Sequence, residues 1–287
     1  MNAWLVVNGF LGSDKFREIY AYLSLAAEKR GIDLKMKTNN SLALLLGESL
    51  CGDGRPDFVL FWDKDTELAK RLEGEGLRLF NSADAIAVCD NKALTARALV
   101  GHVPTPRTVI SPKTFEGVGY NNLDFVENSA RLLGLPLIIK EAYGSFGKQV
   151  YLANTVEEAK DTVRSLGYKD FIIQEFIRES CGRDVRVNVV GGRVVSAMER
   201  HNENDFRSNI SNGGSMKKAE LDPEFERVAV KAAEIIGLDF AGVDVLFGKD
   251  GPIVCEVNSN PHFKSSLECT GVDMSEKIMD YVTECMR

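Results

Sequence analysis

The chain has no apolar run long enough to cross a bilayer, no excess of positive charge and no CxxC spacing. The first absence leaves no transmembrane candidate. The stretch Met1-Asn2-Ala3-Trp4-Leu5-Val6-Val7 is shorter than the apolar region of a secretory leader and reads as a first buried strand. A net charge of −7 gives no electrostatic footprint for nucleic acid. The six cysteines, Cys51, Cys89, Cys181, Cys255, Cys269 and Cys285, sit partly in apolar segments of a 287-residue chain. They read as free thiols in a reducing cytosol, since a disulfide framework belongs to much smaller secreted domains. Internal repeats and low-complexity tracts are absent too. The first turn, Asn8-Gly9-Phe10-Leu11-Gly12, is not GxGxxG, and no GxxxxGK[ST] run occurs, so neither a dinucleotide fingerprint nor a Walker loop is available.

What is present begins with 44% hydrophobic residues, enough for a substantial core and two or three lobes. Strand-like and helix-like stretches alternate over roughly the first eighty residues: a strand at 3–8, an amphipathic helix at 14–30 stopped by Gly31, strands at 33–37 and 57–61, a charged helix to Glu75 and a short strand at 77–80. This alternation predicts a small open α/β domain over 1–83, and the missing fingerprint makes it a substrate platform. A helix is expected from Ser82 to Val100 with a break near Asp90, then an extended segment through Val103-Pro104-Thr105-Pro106. An edge strand at 105–109, a helix at 123–133, strands at 136–140 and 149–152, a helix at 156–166 and an apolar strand at 171–177 follow. A hairpin at 184–199, a polar loop at 200–218, a helix at 222–237 with Pro223 in its first turn, and a helix from Ser275 complete the pattern. Lobes at 84–173 and 174–287 are expected, in an α/β chain with α+β lobes.

Two short strands carry the strongest chemical signal. Ala241-Gly242-Val243-Asp244-Val245 and Val254-Cys255-Glu256-Val257-Asn258 flank the tight-turn composition Gly248-Lys249-Asp250-Gly251-Pro252. A hairpin there brings Asp244 beside Glu256, and Glu256 and Asn258 project from one face. Three hard oxygen ligands suit Mg²⁺ or Mn²⁺ better than Zn²⁺. Solvated strand-end acids are the plainer alternative, but the flanking valines make an unpaired carboxylate costly.

Other pieces fit a nucleotide beside that seat. Lys140 closes a buried strand and must snorkel out or meet an anion. Gly144, Ser145 and Gly147, in the hairpin loop that follows, can lay backbone N–H groups over phosphates, although an ordinary turn has the same composition. Gln174-Glu175-Phe176-Ile177 can form an interlobe hinge whose backbone reads an adenine edge. Asp184 can hold ribose hydroxyls or be a solvated acid. Arg207, Ser208 and Asn209 suit polyphosphate or a developing acyl phosphate.

In this order, Asp90-Asn91-Lys92, Val103-Pro104-Thr105-Pro106, Lys140 with its glycine loop, Gln174 to Ile177, Gly182-Arg183-Asp184-Val185-Arg186, Asp205 to Asn209, Ala241 to Asp244 and Glu256-Val257-Asn258 resemble the ATP-grasp superfamily, and within it the RimK-type α-L-glutamate ligases. The resemblance spans nearly the whole chain and implies an ATP-grasp fold behind an N-terminal α/β domain. It implies that Lys92 and Lys140 meet ATP phosphates, Glu175 and Phe176 form the adenine hinge and Asp184 faces the ribose. Arg207, Ser208 and Asn209 would line the phosphate loop and Arg186 would steady the reacting carboxylate. Asp244, Glu256 and Asn258 would ligate two Mg²⁺ or Mn²⁺ ions, with Glu256 bridging them. The implied reaction activates a carboxylate as an acyl phosphate for attack by an amine, with ADP and phosphate released. The carboxylate would come from a peptide tail or a small metabolite, the amine from an amino acid, glutamate first; a homo-oligomer is left open.

Departures fall on the acceptor side. Ser259-Asn260-Pro261-His262-Phe263-Lys264 replaces a small residue, proline and glycine, and Asn212 replaces a basic residue. They leave the protein-tail acceptor of the ribosomal-protein ligases without support. The loop Asn260 to Lys264 is expected to shape the acceptor side, with His262 as a pocket residue; His102 and His201 read as structural or solvated. A kinase or an ATP-binding regulatory protein on the same fold is the alternative.

Overall fold

The computed structural model describes residues 1–287 except 44, 52, 53, 146, 211 and 212. The chain starts with β1 (Asn2–Val7), α1 (Asp14–Glu28), β2 (Asp33–Thr38), β3 (Phe58–Trp62), α2 (Thr66–Gly74) and β4 (Leu79–Phe80). These strands form a parallel sheet in the order β2-β1-β3-β4. Period-two alternation divides β1 between two cores: Ala3, Leu5 and Val7 pack on the α1 side, while Trp4 and Val6 face the α2 side. With both faces covered, the strand reads as one continuous apolar run.

Next come α3 (Ala83–Asp90) and α4 (Lys92–Leu99). The break falls at Asn91, whose side chain accepts from the N–H groups of Ala93 and Leu94 and so starts a second helix. Although this pair lies at the front of the expected 84–173 lobe, its buried side chains join the cores on either side. Ala83 and Ile86 pack with β3 and α2, Ala85 and Leu99 with the C-terminal sheet.

The middle unit contains β5 (Thr108–Ile110), α5 (Asp124–Leu133), β6 (Leu137–Glu141), β7 (Val150–Ala153), α6 (Val156–Leu166) and β8 (Phe171–Glu175). Its antiparallel sheet has the order β5-β8-β6-β7, with β5 at the edge as expected, although it starts at Thr108, past Pro104 and Pro106. A core of its own, from Val126 to Ile173, lies under α5 and α6.

The last sheet is antiparallel, in the order β11-β10-β9-β12-β13. It is built from β9 (Arg183–Val190), β10 (Arg193–His201), β11 (Ser215–Lys218), β12 (Phe240–Gly248) and β13 (Gly251–Asn258), with α7 (Pro223–Ile236) on one face. The expected 200–218 loop is too long. β10 continues through His201, and Ser215–Lys218 pairs with it as an edge strand. A charged edge strand lacks apolar alternation, so its sequence resembles a loop. Two helices follow, α8 (Lys264–Thr270), which the sequence did not reveal, and α9 (Met274–Cys285).

Helix α9 does not stay with its own sheet alone. Ile278, Met279 and Val282 share a core with Leu23, Ala26 and Ala27 of α1. Trp62 stacks on Phe240 at 5.3 Å and meets Phe263 edge-on at 6.0 Å. Buried Asn81 completes the join: its amide donates to the carbonyls of Phe240 and Ser259, both at 2.9 Å, and accepts from the N–H groups of Asp239 and Phe240.

Candidate active site

A cavity of about 710 Å³ lies where the three units meet. Its floor is one face of the C-terminal sheet, and register decides which side chains it presents. Met198, Arg186, Asp244 and Glu256 stand side by side on β10, β9, β12 and β13. In the adjacent row Gly242 faces Asn258, as the hairpin reading required for the oxygen cluster. A β-carbon at Gly242 would come within 2.8 Å of the Pro261 ring and 3.1 Å of the Arg186 guanidinium, so a glycine belongs there.

Two arginines control Asp244. Arg186 forms a two-pronged pair with it, the Nη2 to Oδ2 contact being 2.8 Å, and Arg200 approaches Oδ1 at 2.8 Å. Burial opposes the charge, yet these guanidinium groups hold the Asp244 carboxyl below the usual carboxylate range. Arg200 also grips both oxygens of Asp184, at 2.7 and 2.5 Å, from the position directly across β9. Burial alone would lower the Arg200 pKa, but Asp244 and Asp184 raise it. Asp184 therefore stands on the cavity wall as half of a buried ion pair. Arg200 was missed because it opens what read as a polar loop.

The donor set matches a hard divalent cation. Glu256 makes no side-chain hydrogen bond or ion pair among the described residues, and Asn258 spends its amide N–H on the Gly242 carbonyl at 3.3 Å, leaving its oxygen as a donor atom. Asp244 would have to share its oxygens with Arg186 and Arg200. No group of three His, Cys, Asp or Glu side chains clusters among the described residues, which leaves the mixed carboxylate and amide set.

The glycine loop after β6 closes over this floor. Lys92 donates to the Gly144 carbonyl at 3.1 Å, Arg207 to the Gly147 carbonyl at 2.6 Å, and Lys64 lies 3.3 Å from the Ser145 hydroxyl. Gly147 has φ +70°, and a β-carbon on it would meet the Asn209 side chain at 2.6 Å. Phe146 of this loop and Asn212 lie outside the described residues. Lys92 is largely desolvated, which lowers its pKa against the opposing pull of Glu256. Lys140 is buried, with its ammonium 3.4 Å from the Cys255 sulfur. Burial raises the Cys255 thiol pKa and pushes that of Cys89, on the same cavity wall, up to about 12.

Strand β8 ends at Glu175, two residues before the expected limit, and the main chain turns there. The Glu175 carboxylate accepts from the Arg107 N–H at 2.8 Å, and the Gln174 amide donates to Thr108 at 2.9 Å. Phe176 and Ile177 then run along a slot bordered by Ile138, Met198 and Leu246. Of the expected site residues, Lys92, Lys140, Gly144, Ser145, Gly147, Gln174, Glu175, Phe176, Ile177, Asp184, Arg186, Arg207, Asn209, Asp244, Glu256 and Asn258 all line this cavity. Ser208 does not: it is buried, with its carbonyl facing Gly214. His262 lines the wall, its Nε2 3.1 Å from the Lys15 carbonyl, and burial lowers its pKa. Lys264 is off the wall and pairs with Glu18 at 2.6 Å, because α8 carries it toward α1.

A profile of the RimK-like ATP-grasp domain matches residues 89–282. The chain belongs to the RimK-like ATP-grasp family. Beta-citrylglutamate synthase B of Danio rerio is 35% identical over 77% of this chain and 54% of its own length. A probable alpha-L-glutamate ligase of Trichodesmium erythraeum is 44% identical over 52% of this chain and 51% of its own. N-acetylaspartylglutamate synthase A of Homo sapiens is 33% identical over 76% of this chain and 56% of its own. The chain thus spans about half the length of these curated relatives. The crystal structure of a RimK domain ATP-grasp protein from Sphaerobacter thermophilus superposes with a TM-score of 0.72 at 21% identity, over 98% of this chain and 99% of that one. The fold is the ATP-grasp fold. No helix among the described residues is long and apolar enough to cross a membrane.

Proposed function

We propose that this chain is an ATP-dependent carboxylate–amine ligase, making an amide through an acyl phosphate with release of ADP and phosphate. The observation that carries the reading is the direct cross-strand pair of Asp244 and Glu256, facing a cavity that also holds Lys92, Lys140 and Arg207. In this reading adenine enters the slot along Glu175 to Ile177, and Lys92 and Lys140 meet the phosphates. Arg207 and Asn209, beneath the glycine loop, face the terminal phosphoryl group, while Arg186 and Arg200 orient Asp244 and the reacting carboxylate. Two Mg²⁺ or Mn²⁺ ions on Asp244, Glu256 and Asn258 would neutralise charge on the phosphoryl group in transfer. The lid is the middle sheet with its separate core. The names of the relatives make glutamate the first amine to try and citrate and N-acetylaspartate the first carboxylates; a cytosolic setting fits the free thiols.

The test follows ADP, AMP and amide mass with ATP, Mg²⁺, L-glutamate and each carboxylate, and with hydroxylamine to capture an acyl phosphate. ADP and amide formed together support the ligase, and Glu256→Gln should lower turnover at least ~10²-fold. AMP, or a stable phosphoryl ester formed without amine, rejects it.

A further inference from the structure

The first sheet adds a wall of its own to the cavity. Its strand order β2-β1-β3-β4 reverses between β1 and β3, and a ligand site is favoured in the crevice beyond the carboxyl ends of such strands. Asn8 and Asp63 occupy those two ends, and Asn260 reaches them from the C-terminal unit. All three line the cavity.

Asp63 is only 5% exposed, and no lysine or arginine pairs with it among the described residues. Its neighbour Lys64 turns away to Asp90 at 2.5 Å. One Asp63 oxygen accepts the Lys64 N–H at 2.7 Å and an Asn8 amide N–H at 3.2 Å; the other receives only the longer Asn8 contact at 3.4 Å. Asn260 donates its amide N–H to the Asp63 carbonyl at 2.8 Å, and its own side-chain oxygen is buried with no partner among the described residues. The corner therefore presents two under-satisfied acceptors, a carboxylate oxygen with only a 3.4 Å contact and an amide oxygen with no donor among the described residues, where a poorly paired buried acceptor is costly. Burial also raises the Asp63 pKa, so its charged form gains from a cation beside it. A carboxylate or phosphate placed there would set acceptor against acceptor. A primary ammonium brings three N–H donors and the matching charge.

We propose that Asp63 and Asn260 form the binding corner for the ammonium group of the amine substrate, an L-amino acid. This deepens the ligase reading and rests on it. Amine choice then belongs to the first α/β unit, and nucleotide binding to the other two.

Calorimetry with a non-hydrolysable ATP analogue and Mg²⁺ present tests this. Wild type is screened with the twenty standard L-amino acids, and the tightest is compared with its deamino analogue (for L-glutamate, glutarate). Asp63→Asn should weaken the amino acid at least ~tenfold and the deamino analogue less than ~twofold, with nucleotide affinity retained. Asn260→Ser should show the same split if Asp63→Asn fails to fold. Equal affinity for the amino acid in wild type and variants overturns the corner, as does equal loss of both probes. Wild type that binds nucleotide but no amino acid overturns the amine-substrate reading and the corner with it.

Discussion

Two boundaries meet at the cavity, and they are built differently. The first unit joins the C-terminal unit through apolar contact, Trp62 against Phe240 and Phe263 and α1 against α9, closed by buried Asn81 hydrogen-bonded to four backbone groups. The glycine loop of the middle unit is held by single polar contacts, from Lys92, Arg207 and Lys64, and that unit keeps its core to itself. A buried, closely packed boundary resists movement, whereas a few contacts from cations to carbonyls and a hydroxyl exchange readily for water or for phosphate. The first α/β unit is therefore fixed to the C-terminal sheet, and the glycine loop of the middle unit is the part free to move; in the proposed ligase these would be the substrate wall, the metal floor and the nucleotide cover.

The largest expected effect breaks the fixed boundary. Asn81→Leu preserves bulk but strands two carbonyls and two N–H groups in the interior, so folding stability should drop by at least ~3 kcal/mol. Denaturant unfolding followed by tryptophan fluorescence measures it, since Trp62 sits on that boundary. A loss below ~1 kcal/mol would mean the two units separate easily and the contrast is false.

Lys92→Met should act in the opposite sense. It removes a desolvated ammonium, so the thermal midpoint of the ligand-free protein should hold or rise, while ATP affinity falls at least ~tenfold, about 1.4 kcal/mol. In wild type, nucleotide with Mg²⁺ should protect amides of residues 147–150 from hydrogen exchange, and in the variant that protection should shrink. Destabilisation as large as in Asn81→Leu would make Lys92 part of the frame instead of the cover.

The smallest effect refines the first boundary at its rim. Lys29 and Arg30 hydrogen-bond Glu276 and hold its carboxyl below the usual value. A depressed carboxyl contributes stability above its unfolded value of about 4.3, and that contribution fades as pH falls through the folded value. Glu276→Gln should cost under ~1 kcal/mol at neutral pH, since the pair is partly solvated, and nothing at strongly acid pH. A difference that persists unchanged into acid would assign the effect to packing.

Sequence revealed local features well. Asp244 opposite Glu256 followed from alternation and a turn, Lys140 from its place at the end of a buried strand, and Gly144 from the glycine loop after it. The features it hid depend on partners distant along the chain. Arg200 acquires its role only because register sets it across from Asp184; Asn260 was expected in an acceptor-side loop, but its contact with Asp63 depends on another unit. Asp63 itself lies between the expected strand at 57–61 and the charged helix to Glu75, and drew no reading of its own. Edge strand β11 and short α8 carry too little apolar pattern to stand out from loops.

The join between α1 and α9 also has a consequence in time. Leu23 and Ile278 share one core although more than two hundred residues separate them, so during synthesis the outer face of α1 emerges long before α9 exists to cover it. The middle unit, whose core comes from residues 109–173, can close while the ribosome is still working. The middle unit is thus the lobe able to finish first, and the chamber beside it takes its final shape when the last helix docks.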